Sequence, residues 1–145
     1  MGLLSTIKFR FDRVGTLKAL LDKWRPRNCT TEKAYKNSLT TFLRRELPED
    51  TKITPQYAQG RFHADLGIDD RLVVEIKYNL DTTAKYQPPE GQIATYRDWK
   101  GQVILLLAGK TDPDLKKELT PYLKKEGLRD SLILMQEDKV FVFEK

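Results

Sequence analysis

The sequence holds one cysteine, Cys29, and one histidine, His63, in 145 residues. A lone cysteine cannot close an internal disulfide, and so few soft ligands cannot build a structural zinc site. The fold must rest on an apolar core, and a reducing intracellular setting is expected. Long hydrophobic runs are missing too: the longest, residues 103–108, falls far short of the roughly 20 that a membrane-spanning helix needs. The apolar start at Leu3 and Leu4 meets Lys8 and Arg10 too soon for a secretory signal. Gly2 and Thr6 fit the spacing of an N-myristoylation pattern, a short motif with many chance matches. There is no internal repeat or low-complexity tract. With 39% hydrophobic and 32% charged residues, the chain suits a single folded domain.

Charge is present in abundance but unevenly. Residues 1–47 carry 11 Lys and Arg against 4 Asp and Glu, whereas residues 48–145 carry 15 against 17. Basic excess in one third of the chain draws polyanions through Coulomb attraction and counterion release, which makes nucleic acid a fitting partner. A solvated basic face would look the same in sequence.

Val14, Leu17, Leu20, Leu21 and Trp24 recur at helical spacing, and Arg25-Pro26 closes that segment because proline disfavours helix in the residue before it. Residues 1–28 are therefore expected as a basic arm with one short amphipathic helix at 14–24, a surface for DNA or for a second copy. Residues 29–145 form the main domain. Thr30 or Thr31 caps a second helix with the stripe Tyr35, Leu39, Phe42, Leu43 and Leu47, ended by Pro48. Three β-like runs follow at about 52–59, 61–68 and 71–78, an antiparallel meander. A helix over 88–99, an apolar strand over 102–108, a helix over 114–125 and two short strands over 132–136 and 139–143 complete the chain. The fold class expected is α/β, a mixed sheet flanked by helices.

The second and third runs carry the chemistry. Phe62, Ala64, Leu66 and Ile68 alternate with Arg61, His63, Asp65 and Gly67; Leu72, Val74, Ile76 and Tyr78 alternate with Arg71, Val73, Glu75 and Lys77. If both apolar faces meet one core, paired residues must sum to an even number, because a slip by one inverts a strand. The loop is then odd in length. A three-residue connection at 68–70 pairs Gly67 with Arg71, Asp65 with Val73 and His63 with Glu75. Asp65, Glu75 and Lys77 share a face under this parity rule. Two carboxylates can hold a hard cation such as Mg²⁺, which polarises phosphate and activates water, and an ammonium can stabilise the charge that builds up. Solvent-facing members of an amphipathic strand would show the same alternation.

Asp65, then Glu75-Ile76-Lys77, with a helix bearing Glu32 before them and a helix and apolar strand after, resembles the PD-(D/E)XK nuclease superfamily over roughly residues 30–109. The resemblance implies a restriction-endonuclease-like α-βββ-α-β core, here with an N-terminal helical arm and a C-terminal strand pair. It also implies Mg²⁺-dependent hydrolysis of DNA, with Mn²⁺ able to substitute. Asp65 matches the metal-binding aspartate, Glu75 the second acid and Lys77 the catalytic lysine, with the Ile76 backbone carbonyl as a further metal ligand. Ala64 stands where the name-giving proline often is.

Several branches place an extra ligand or water-orienting acid where Glu32 stands; the alternative is a first-turn acid favoured by the helix dipole. Gln92 and Tyr96 resemble the Gln-x3-Tyr element of the exonuclease branch, at a spacing that shares one helix face. His63 is expected beside the site, opposite Glu75. Lys85, Tyr86 and Arg97 are candidate contacts to the DNA backbone, and the short chain points to a homodimer or membership of a larger DNA-processing complex. The competing expectation is a non-catalytic module that binds nucleic acid or protein on the same fold.

Overall fold

A computed structural model describes residues 2–78, 99–109, 129–134 and 139–144, the last two ranges as strand backbone. Helices α1 (Leu3–Phe11) and α2 (Arg13–Lys23) meet at Asp12. The Asp12 carboxylate caps α2 by accepting the Gly15 amide at 2.9 Å. A Cβ on residue 15 would stand 2.2 Å from Asp12 Oδ2, so any other residue there would make the capping side chain shift. The amphipathic helix expected at 14–24 is thus present as α2, but α1 was not expected. Its apolar residues Leu3, Leu4, Ile7 and Phe11 face solvent, and Phe9 alone turns inward.

Helix α3 (Glu32–Glu46) begins at Thr31, whose Oγ1 accepts the Ala34 amide at 3.1 Å. Its stripe Tyr35, Leu39 and Leu43 is buried, as the period requires. Phe9, Leu17, Leu21 and Trp24 from the first two helices join that stripe in one core cluster with Leu66, Ile68, Leu72, Val74, Ile76, Ile104 and Leu106 of the sheet. The side chains of the expected arm therefore lie in the same core as the sheet. Burial of each large apolar side chain contributes about 1.5–3 kcal/mol.

Six strands form one mixed sheet: β1 (Ile53–Gln59), β2 (Phe62–Ile68), β3 (Leu72–Tyr78), β4 (Gln102–Ala108), β5 (Arg129–Leu134) and β6 (Lys139–Glu144), in the order β1-β2-β3-β4-β6-β5. The meander β1-β2-β3 is antiparallel, β4 runs parallel to β3, and β6 and β5 pair antiparallel beyond it. The protein is thus mixed α/β. The helices expected over 88–99 and 114–125 lie outside the described residues, save Trp99. Among the described residues no helix is long and apolar enough to cross a membrane.

The hairpin register differs from the sequence expectation by two residues. Ile68 pairs with Leu72, Gly67 with Val73 and Leu66 with Val74, so the connection is Asp69-Asp70-Arg71 rather than 68–70. Its length is still odd and the shared face survives. What moves the turn is tertiary: Asp69 Oδ1 accepts the Lys52 amide at 2.9 Å, while Oδ2 accepts from Arg13 Nε and Nη2 at 3.1 Å each. Asp69 and Asp70 both take positive φ, 54° and 53°, a conformation that aspartate tolerates better than branched residues. Ile68 is left free to stay in the strand and fill the core.

Candidate active site at a strand fork

The corrected register puts Asp65 across from Glu75, and there the β2–β3 ladder stops, Leu66 and Val74 being the last pair. The two acids take over from the backbone. Glu75 Oε2 accepts the Asp65 amide at 3.1 Å, and Asp65 Oδ2 accepts the Ile76 amide at 2.6 Å. Each carboxylate thereby satisfies a donor that a strand pair would otherwise have satisfied. The remaining oxygens meet cations: Lys77 Nζ lies 3.2 Å from Glu75 Oε1, and Lys36 Nζ lies 2.6 Å from Asp65 Oδ1.

Glu75 is the buried charged residue of the described core, at 6% exposure. Burial pushes its pKa up, the Asp65 charge adds to the rise, and Lys77 only partly opposes it, leaving it at about 7. Lys36 moves the other way in chemical sense. Partial burial disfavours its charge, but the hydrogen bond and charge of Asp65, with Glu32 behind it, outweigh this and raise its pKa. The fork therefore holds a proton that can leave near neutral pH beside an ammonium that keeps its own.

Asp65, Glu75 and Lys77 are brought together as the alternation requires. Glu32 is not in contact with the pair; it meets Lys36 Nζ at 3.3 Å and reaches Asp65 only through that lysine. Among the described residues no three His, Cys, Asp or Glu side chains gather as a metal cluster, so the acids come as a pair. His63 does not face Glu75. It lies on the exposed part of β2 that pairs only with β1, opposite Ala58, because the two-residue register shift carries it past the end of the β2–β3 ladder. Gln92, Tyr96, Lys85, Tyr86 and Arg97 lie outside the described residues.

Lys36 is the residue that sequence reasoning missed. One signal was available: Glu32 and Lys36 stand four apart, in the order that favours a helical ion pair. That spacing could not say that α3 crosses the sheet at the height of the fork.

No protein-family model matches this chain, and neither the curated proteins nor the solved structures contain a significant match.

Proposed function

We propose that this chain is a metal-dependent hydrolase of DNA phosphodiester bonds that works inside the cell on the restriction-endonuclease-like core of PD-(D/E)XK nucleases. The observation that carries the reading is the convergence of Asp65, Glu75 and Lys77 at the fork. Support also comes from element order: α3, the antiparallel meander β1-β2-β3, then β4 parallel to β3.

The donor set fits Mg²⁺, or Mn²⁺ in its place, since Mg²⁺ usually takes one or two carboxylates and leaves its other positions to water and substrate phosphate. Asp65, Glu75 and the Ile76 carbonyl would hold the ion, which when bound lowers the pKa of water and offsets charge on phosphate. Glu75 must shed its proton to serve, so ion binding weakens below about pH 7. Lys77 offers its ammonium to phosphate oxygens as negative charge grows on them. Lys36 neutralises Asp65 when no other cation is near. Glu32 holds Lys36 in place. Gln92, Tyr96, Lys85 and Arg97 are proposed as contacts to the substrate.

One observation favours the second reading, a non-catalytic binding module: every carboxylate oxygen at the fork already has a donor from the chain itself. Incubation with labelled linear, circular, branched and single-stranded DNA, with Mg²⁺, Mn²⁺ or EDTA, separates the two. Cleavage that needs the divalent ion and disappears in both Asp65→Ala and Lys77→Ala is expected. Metal-dependent cleavage retained by both variants would sink the mechanism, and DNA binding without cleavage in either metal would favour the module.

A further inference from the structure

Two open clefts lie away from the fork. One, at the hairpin turn, mixes Arg10, Arg13, Arg71 and Lys100 with Asp69 and Asp70, and much of its charge is spent internally on the Arg13–Asp69 pair. The other, about 620 Å³, lies between the end of α2 and the outer side of α3. Its lining includes Lys23, Arg25, Arg27 and Arg45 and, among the described residues, contains no acid.

We propose that this second cleft binds the phosphate backbone of a nucleic-acid strand, an affinity that comes from the cleft's own residues and stands apart from the hydrolase reading above. The floor is built before any ligand arrives. Trp24 is buried between the helices, and its Nε1 donates to Ser38 Oγ at 3.1 Å. Pro26 restricts the chain around it to an extended course, which sets Arg25 and Arg27, two residues apart, on the same wall. Arg25 donates to the Asp22 and Trp24 carbonyls at 2.6 and 3.1 Å, quenching the partial negative charge at the end of α2. Among the described residues no carboxylate pairs with Lys23, Arg25 or Arg27. Arg45 shares the exposed Glu46 and stacks over the Phe42 ring, with 5.5 Å from guanidinium carbon to ring centroid.

The opposite wall supplies hydrogen-bonding side chains, Asn37, Ser38 and Thr41. Arg25 and Arg27, which meet no carboxylate among the described residues, stand beside neutral donors and suit a run of phosphates, whose oxygens accept from both kinds of group. From Asn37 to Arg45 the helix rises about 12 Å, the axial length of three to four nucleotides at about 3.4 Å each. Lys36, the neighbour of Asn37 on α3, turns to the sheet instead and touches Asp65, so the cleft and the fork lie on different sides of the helix.

The test measures binding of fluorescein-labelled single-stranded and duplex DNA by the intact protein in EDTA, across a salt series, so that no cleavage intrudes. The Arg25→Gln/Arg27→Gln/Arg45→Gln variant is expected to bind at least tenfold more weakly. The slope of log affinity against log salt should fall by about 0.7–0.9 for each phosphate that the variant no longer neutralises. Asn37→Glu, which adds an anion to the exposed rim, should weaken binding in the same sense. Lys8→Gln/Lys100→Gln removes two charges elsewhere and should change affinity less than twofold. Equal losses in the cleft and control variants, or polyglutamate bound as tightly as DNA, would overturn the proposal. Failure of the hydrolase reading looks different: cleft-dependent binding would persist while no metal supports cleavage.

Discussion

The two ends of the β2–β3 hairpin carry the same side-chain chemistry in opposite settings. At the turn, Asp69 and Asp70 are served by Arg13 and Lys52; at the fork, Asp65 and Glu75 are served by Lys36 and Lys77. Water decides what the pairs do. The hydrogen bond from Lys52 holds the exposed Asp70 carboxyl below its usual range, so it stays ionised and its partner fastens a loop. Burial drives Glu75 the other way, to about 7. An acid poised to lose its proton near neutrality beside a second acid and a lysine suits the chemistry proposed above; one held in its ionised form at a turn suits a structural tie.

The largest effect that would break this contrast is on turnover. Asp65→Ala and Lys77→Ala are each expected to lower metal-dependent DNA cleavage by at least about 100-fold, the usual scale for removing one charge-stabilising group. Asp70→Asn should leave the rate within about twofold, and a comparable loss there would erase the distinction between the two ends.

A smaller effect should appear in stability. Glu75 ionises near 4.5 without its fold and near 7 within it, so the folded chain holds the extra proton between those values. Its contribution is therefore most favourable at low pH, falls as pH rises through that window and is constant above it. Urea titrations in EDTA of wild type and Glu75→Gln should show their stability difference shifting towards wild type by about 2 kcal/mol from pH 8 to pH 5. A difference that does not move with pH would mean that Glu75 titrates as an ordinary exposed acid.

Lys36→Met leaves the Asp65 carboxylate without its cation in a half-buried place, and a loss of about 1 kcal/mol is expected after allowance for the solvent that reaches the lysine. The smallest effect is expected from Lys52→Met. Its partner Asp70 is open to water, and differential scanning calorimetry should find the melting temperature unchanged within error. Equal costs for the two lysines would remove burial as the explanation.

Alternation alone was enough to place Asp65, Glu75 and Lys77 on one face, because parity needs only the core-facing set 66, 68, 72, 74 and 76. It was not enough to choose the register. Two registers that differ by two residues expose the same faces, and the choice was made by Asp69 bonding to Lys52 and Arg13, contacts with residues 17 and 56 positions away. Helix α3 was legible from Thr31 and its stripe, and β4 from an unbroken apolar run. Helix α1 was not, because Leu3, Leu4, Ile7 and Phe11 mark a face that does not enter the core; Phe11 is 89% exposed. Lys36 was hidden for another reason, since its role depends on where one element crosses another and not on its own neighbours.

At the fork the acids do the work of a missing pair of ladder bonds. Any cation that draws the two carboxylates to itself must compete with the amides of Asp65 and Ile76 for the same oxygens. Those two peptide groups become built-in reporters of occupancy. Their deuterium exchange and amide chemical shifts should change together on metal addition, while the amides of Val73 and Val74 stay locked in the paired strands, giving a readout of the site that needs neither substrate nor label.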